Sequence, residues 1–256
     1  MVQSAELLPL PRTLTLLEKI ISINTTSNPG ACTQLLFEFS SADYISAHTK
    51  QLIPAATSLL NNLPGDPKRS SQNNYSQSNT VDSVQIIELI NALINIDTTL
   101  VEYAVKYILS WPKTYSLDRV LVPSTVHFCQ KKIALPELQP LYDRVQTHLS
   151  NRITQMIEPP SDWTRASKLS CSCKDCKALS QFLASPSEKV WHFKAAENKR
   201  SHLQGIIRGN KCDVNCTTSK KGRPYTLVCV KNQASYDRRA KQHQKDLENI
   251  GRIETG

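Results

Sequence analysis

Leu14, Leu17, Ile20 and Ile21 fall on one helical face, and Leu52, Ala56, Leu59 and Leu60 do so again, so residues 1–62 read as short helices. Residues 63–81 then gather Pro, Gly, Ser, Asn and Gln with almost no apolar content, the composition of a flexible loop or linker. A helical pattern resumes through Ile86, Leu89, Ile90, Leu93 and Ile94, with Asp82 placed to cap it. Another runs from Leu100 to Trp111 and stops at Pro112. Residues 136–157 predict one long amphipathic helix, with Leu138, Leu141, Val145, Leu149 and Ile153 on one side and Pro159-Pro160 as its terminator.

The two early helical blocks resemble each other. Leu16-Leu17-Glu18 with Ile20 and Ile23 aligns with Ile86-Ile87-Glu88 with Ile90 and Leu93, at an offset of 70. Leu52-Ile53-Pro54-Ala55 aligns with Leu121-Val122-Pro123-Ser124 at an offset of 69. Matches in the same order predict two degenerate copies of one helical unit, the kind that stacks into an α-solenoid because no copy buries its apolar face alone. Any two amphipathic helices share periodicity, so Pro54 and Pro123 are the markers that periodicity does not explain.

Beyond residue 157 the pattern shortens. Leu179, Phe182 and Leu183 predict a helix ending near Pro186, and a second helix covers about 195–207. Lys211–Thr218 and Pro224–Lys231 flank Ser219-Lys220-Lys221-Gly222-Arg223 and read as a β-hairpin, with Gly222 free to take positive φ at the turn. A last, highly charged helix starts at Ser235. The expected fold is therefore mainly α. A helical-repeat-like part spans 1–157, and a small α+β metal-clamped module with a β-hairpin spans 158–256.

Charge sharpens this division. Residues 1–150 hold 11 Lys/Arg against 12 Asp/Glu, whereas residues 151–256 hold 20 against 10. The C-terminal part either meets something anionic or carries a solvated basic surface. Lys220, Lys221 and Arg223 at the turn, with Arg238 and Arg239 on the last helix, are the candidate nucleic-acid contacts. Trp191, Phe193, Tyr225 and Tyr236 offer rings for base stacking, although core packing explains Trp163, Trp191 and Phe193 better. The start lacks the basic n-region of a signal peptide, and no run of about 18 uncharged apolar residues offers a membrane span. The expectation is an intracellular chain, cytoplasmic or nuclear, with reduced thiols.

Eight cysteines in such a compartment point to metal ligands or buried thiols. Cys171-Ser172-Cys173-Lys174-Asp175-Cys176 places three soft ligands within six residues, close enough to wrap one ion. Zn²⁺ takes Cys and His in tetrahedral geometry and needs a fourth ligand. His202 on the second helix is the first candidate, followed by Cys212, Cys216 and His192. Cys212 and Cys216 also form a CxxxC, which leaves redox chemistry open.

Several strings here resemble a family: Pro159-Pro160-x-Asp162-Trp163, the CxCxxC, Phe182-Leu183-x-x-Pro186, Val190-Trp191-x-Phe193 and Arg200-x-His202. Gly222-x-Pro224-x-Thr226-Leu227-Val228 and Lys231-Asn232-x-x-Ser235-Tyr236 belong with them. Together they are similar to an uncharacterised cysteine-containing C-terminal region of large fungal and microbial proteins. There it often lies downstream of a prolyl-hydroxylase-like 2-oxoglutarate/iron oxygenase domain. The likeness covers about residues 100–256, most strongly from 159, and implies that this chain is an accessory region.

Catalytic signatures are missing from the sequence. The iron triad of such oxygenases needs His-x-Asp/Glu, and the six histidines are followed two positions later by Lys, Cys, Ser, Lys, Gln and Gln. GxGxxG, GxxxxGK[ST], HExxH and GxSxG do not occur either. A closed Cys₃His site leaves zinc no position for water. The expectation is a non-catalytic, zinc-stabilised interaction module whose partner is a nucleic acid or a protein, the latter bound to a scaffold of helical repeats.

Overall fold

A computed structural model describes residues 9–66 and 81–255. It is mainly helical, with one small antiparallel sheet, and divides into two compact units. One is Gln155–Lys245; the other is Met1–Thr154 together with Asp246–Gly256.

In the helical unit, α1 (Leu10–Asn24), α2 (Pro29–Ser40) and a 3₁₀ segment (Asp43–Leu52) lead into α3 (Ile53–Asn61). After residues 67–80 come α4 (Ser83–Ile96), α5 (Thr98–Ser110), a π turn (Leu117–Leu121) and α6 (Val122–Gln130). A 3₁₀ turn (Pro136–Leu138) opens α7 (Gln139–Ile153). The predicted stripes face inward: Leu17, Ile21, Leu59, Leu60, Leu89, Ile90, Leu93, Leu141, Val145 and Leu149 are each 2% exposed or less. They join one continuous core. Asp82 caps α4 in a reciprocal box: its carboxylate accepts from the Gln85 backbone amide at 3.0 Å, and the Gln85 side-chain oxygen accepts from the Asp82 backbone amide. The long helix ends at Ile153, four residues before its expected end.

The expected linker 63–81 lies mostly outside the described residues, but its edges are packed. Leu63 and Val81 are buried, and the Leu63 and Pro64 carbonyls accept from the Tyr107 and Tyr115 hydroxyls at 2.8 Å. Gly65 has φ of 137°, and a Cβ there would lie 2.8 Å from the Trp111 ring, so this turn requires glycine.

The second unit holds α8 (Lys174–Ala184), β1 (Val190–Lys194), α9 (Glu197–Gly209), β2 (Val214–Ser219), β3 (Thr226–Lys231) and the start of α10 (Ala234–Thr255). The hairpin of β2 and β3 is present, and β1, which the periodicity did not reveal, pairs antiparallel with β3 to give the order β1-β3-β2. Cys176, Leu179, Phe182 and Leu183 of α8 meet Leu203 and Ile207 of α9 and Leu227 and Cys229 of β3 in a separate core. Trp191 stacks on Phe182 and leans on Phe193, so these rings serve packing.

The end of the chain divides differently from the expected 158–256 module. Asp246–Gly256 belongs with the helical unit. There the buried Asp246 receives two donors of Arg152, Nε at 2.8 Å and Nη2, while Ile250 and Ile253 pack on the helical core.

Candidate metal centre

Cys171, Cys173, Cys176 and His202 converge. One ligand atom from each lies within 4.8 Å of every other, the arrangement that can hold a metal ion. Each contribution follows from local structure. Cys173 occupies the N-cap of α8, and Cys176 enters that helix on the same stripe as Leu179, Phe182 and Leu183, so it is drawn into the core. Cys171 precedes the cap by two residues, in a segment fixed by reciprocal bonds between Ser170 and Asn210: the Ser170 amide donates to Asn210 Oδ1 at 3.1 Å and Asn210 Nδ2 to Ser170 Oγ at 3.0 Å. His202 comes from α9, whose Leu203 and Ile207 pack against α8.

The spacing around the imidazole is informative. His202 Nε2 lies 3.6 Å from Cys171 Sγ, 3.6 Å from Cys173 Sγ and 3.3 Å from Cys176 Sγ. A tetrahedral ion with bonds of about 2.3 Å to sulfur and 2.0–2.1 Å to nitrogen sets those atoms about 3.6 Å apart. One ring nitrogen is thus nearly equidistant from three sulfurs, which a single hydrogen bond would not require.

The thiols are electrostatically unequal. Burial, then the neighbouring thiols, push Cys176 up to about 12. The Cys176 backbone amide beside its sulfur, followed by the Cys176 side chain, brings exposed Cys173 down to about 7. A divalent cation would stabilise all three as thiolates and turn their mutual repulsion into shared attraction.

The other fourth-ligand candidates fall elsewhere. His192 sits on β1, opposite Val228, and Cys212 and Cys216 are outside the cluster. Arg200, two positions before His202, is 8% exposed: its Nε donates to the Ala195 carbonyl at 3.0 Å and its guanidinium lies over the Tyr225 ring. That anchor turns the next position but one, His202, toward the cysteines.

The remaining strings of the resemblance have structural work. Arg165 donates to the carbonyls of Asn232, Asp162 and Thr164, and Lys231, 2% exposed, donates to Ser185 just past α8 at 2.7 Å. The Trp163 amide donates to Pro186, and buried Asp213 accepts from the Ser235 amide at the start of α10 at 2.8 Å.

Lys220, Lys221 and Arg223 are exposed between β2 and β3, with Gly222 at φ 79°. Arg238 and Arg239 are exposed on α10, Arg238 lying 3.9 Å from Asp213. Among the described residues, no helix is long and apolar enough to cross a membrane. Comparison of the chain with protein-family models, with curated proteins and with solved structures finds no match.

Proposed function

We propose that Gln155–Lys245 is a non-catalytic binding module held folded by one structural Zn²⁺, and that its basic surface takes up nucleic acid through the phosphates. The observation that carries the metal half is the 3.3–3.6 Å spacing of three sulfurs about one imidazole nitrogen. Three thiolates and one imidazole fill zinc's four positions and leave none for water or substrate, which is the structural arrangement. Exposed charges at the hairpin turn and on α10 support the second half. Phosphate contacts are its main basis, because two of the four candidate stacking rings, Trp191 and Phe193, pack against the core of the unit. The resemblance adds a setting, an accessory region beside a 2-oxoglutarate/iron oxygenase domain.

Affinity of the full chain for an arbitrary oligonucleotide, measured across salt concentrations, tests the nucleic-acid half. Changing Lys220, Lys221 and Arg223 together to Ala should weaken binding and flatten the log–log salt slope by about 2–3 units. An unchanged slope removes the turn from the contact.

A protein-binding scaffold is the second reading, favoured by the order of elements in the helical unit. Helix, helix, irregular turn and helix over Leu10–Asn61 recur over Ser83–Gln130, with Pro54 and Pro123 each second in the third helix. Two such copies would present a surface for a peptide or protein. Absence of any oligonucleotide binding, even at low salt, selects this reading.

A further inference from the structure

Cys216 and Cys229 stand directly opposite each other in the antiparallel pairing of β2 and β3, with their sulfurs 3.2 Å apart. We propose that this pair is an oxidation site, in which hydrogen peroxide converts the two thiols to a cross-strand disulfide. It is separate from the four-residue cluster, and it joins strand partners rather than the CxxxC neighbours Cys212 and Cys216.

The backbone already provides the geometry. Facing residues of an antiparallel pair have Cα atoms about 4.5–5.5 Å apart, inside the roughly 4.4–6.8 Å that a disulfide spans. A bond of about 2.05 Å requires the sulfurs to close by little more than an ångström. The two thiols also differ in access. Cys229 is fully buried, whereas Cys216 is half-buried and lines an open groove with Cys212, Arg208, Lys211 and Arg238. The Cys229 thiol, 3.2 Å from the partly accessible Cys216 sulfur, favours the Cys216 thiolate, the form that reacts with peroxide, and the same thiol is placed to resolve the product.

The chemistry balances in two steps. Cys216 sulfur attacks the peroxide, an S–O bond forms as the O–O bond breaks, and the leaving oxygen departs as water after taking the thiol proton. Cys229 sulfur then attacks Cys216 sulfur, an S–S bond forms as the S–O bond breaks, and the hydroxyl leaves as a second water with the Cys229 proton. Two thiols are oxidised and one hydrogen peroxide is reduced. The product ties β2 to β3 near the basic turn.

The test treats the full chain, as purified, with a small excess of hydrogen peroxide. Digestion without reductant uses trypsin and a protease cutting before aspartate, which separates Cys212 from Cys216 at Asp213. The expected product is residues 213–220 joined to 222–231, lighter than the two fragments by two hydrogens. Cys216→Ser should abolish it and Cys212→Ser should leave it intact. In Cys229→Ser, the sulfenic acid on Cys216 should persist and be trapped by dimedone several-fold more than in the unaltered chain. Zinc measured in the same samples distinguishes this site from the cluster. Linkage of Cys216 to any other cysteine overturns the proposal, as does recovery of Cys216 and Cys229 as free thiols after peroxide has oxidised Cys171, Cys173 and Cys176.

Discussion

Asp118 lies between His148 Nε2 at 3.0 Å and Arg152 Nη1 at 2.6 Å. Burial raises its carboxyl, but the hydrogen bonds and charges of His148 and Arg152 outweigh burial and hold it below the usual aspartate range. A depressed carboxylate contributes stability above its unfolded pKa, near 3.9, and loses it as pH falls through the lower folded value. Asp118→Asn should therefore lower stability at neutral pH and change it least at the acid end, which flattens the acid limb of a stability-against-pH curve, as urea titrations over that range would show. An unchanged acid limb would count against this pairing. Arg152 also reaches Asp246, 94 positions away, and nothing in periodicity or motif pairs residues at that distance. The four-residue Cys/His cluster was more legible. Three cysteines within six residues announce themselves, and His202 followed from the length and placement of a predicted helix. The Cys216–Cys229 contact was hidden because the sequence offers Cys212 as the nearer partner, and only strand register selects Cys229.

Capping and stripe spacing made α4 legible, since Asp82, Gln85 and the buried Ile86, Leu89, Ile90 and Leu93 all point to one helix. Asp82→Ala removes the side-chain acceptor for the Gln85 amide and should cost about 1 kcal/mol, read as a lower urea midpoint for the helical unit. A midpoint that does not move would show the box to be idle. Strand β1 was not legible for the opposite reason. Val190–Lys194 has only five residues, and its partner β3 begins more than thirty positions later. What fixes it is tertiary: Trp191 and Phe193 alternate inward onto Phe182 and the sheet. Helix α7 ends early because the inward stripe closes at Leu149, and Ile153 is its last residue.

At the scale of the molecule, the shift in charge and pattern near residue 157 anticipated two units, but not that the last turns of α10 join the helical one. Charge along Ala234–Thr255 concealed the apolar Ile250 and Ile253 and the acidic partner Asp246. The core of Gln155–Lys245 is small, and Cys176 belongs to it, so metal binding and folding should be one event there. A structural zinc contributes about 10–16 kcal/mol in small peptides, against about 5–15 kcal/mol for the whole stability of a typical domain. Cys173→Ser, or a strong chelator, should unfold Gln155–Lys245 while the core of the helical unit persists. Hydrogen exchange should lose protection in α8, α9 and the sheet but keep it in α4 and α5. Uniform retention of protection would separate the fold from the metal. The most direct test of the central claim is elemental analysis of the purified full chain beside its Cys173→Ser and His202→Ala variants. The account predicts one zinc per chain, lost or greatly reduced in both variants. Absence of metal from the unaltered chain, or one zinc retained in both variants, would contradict it.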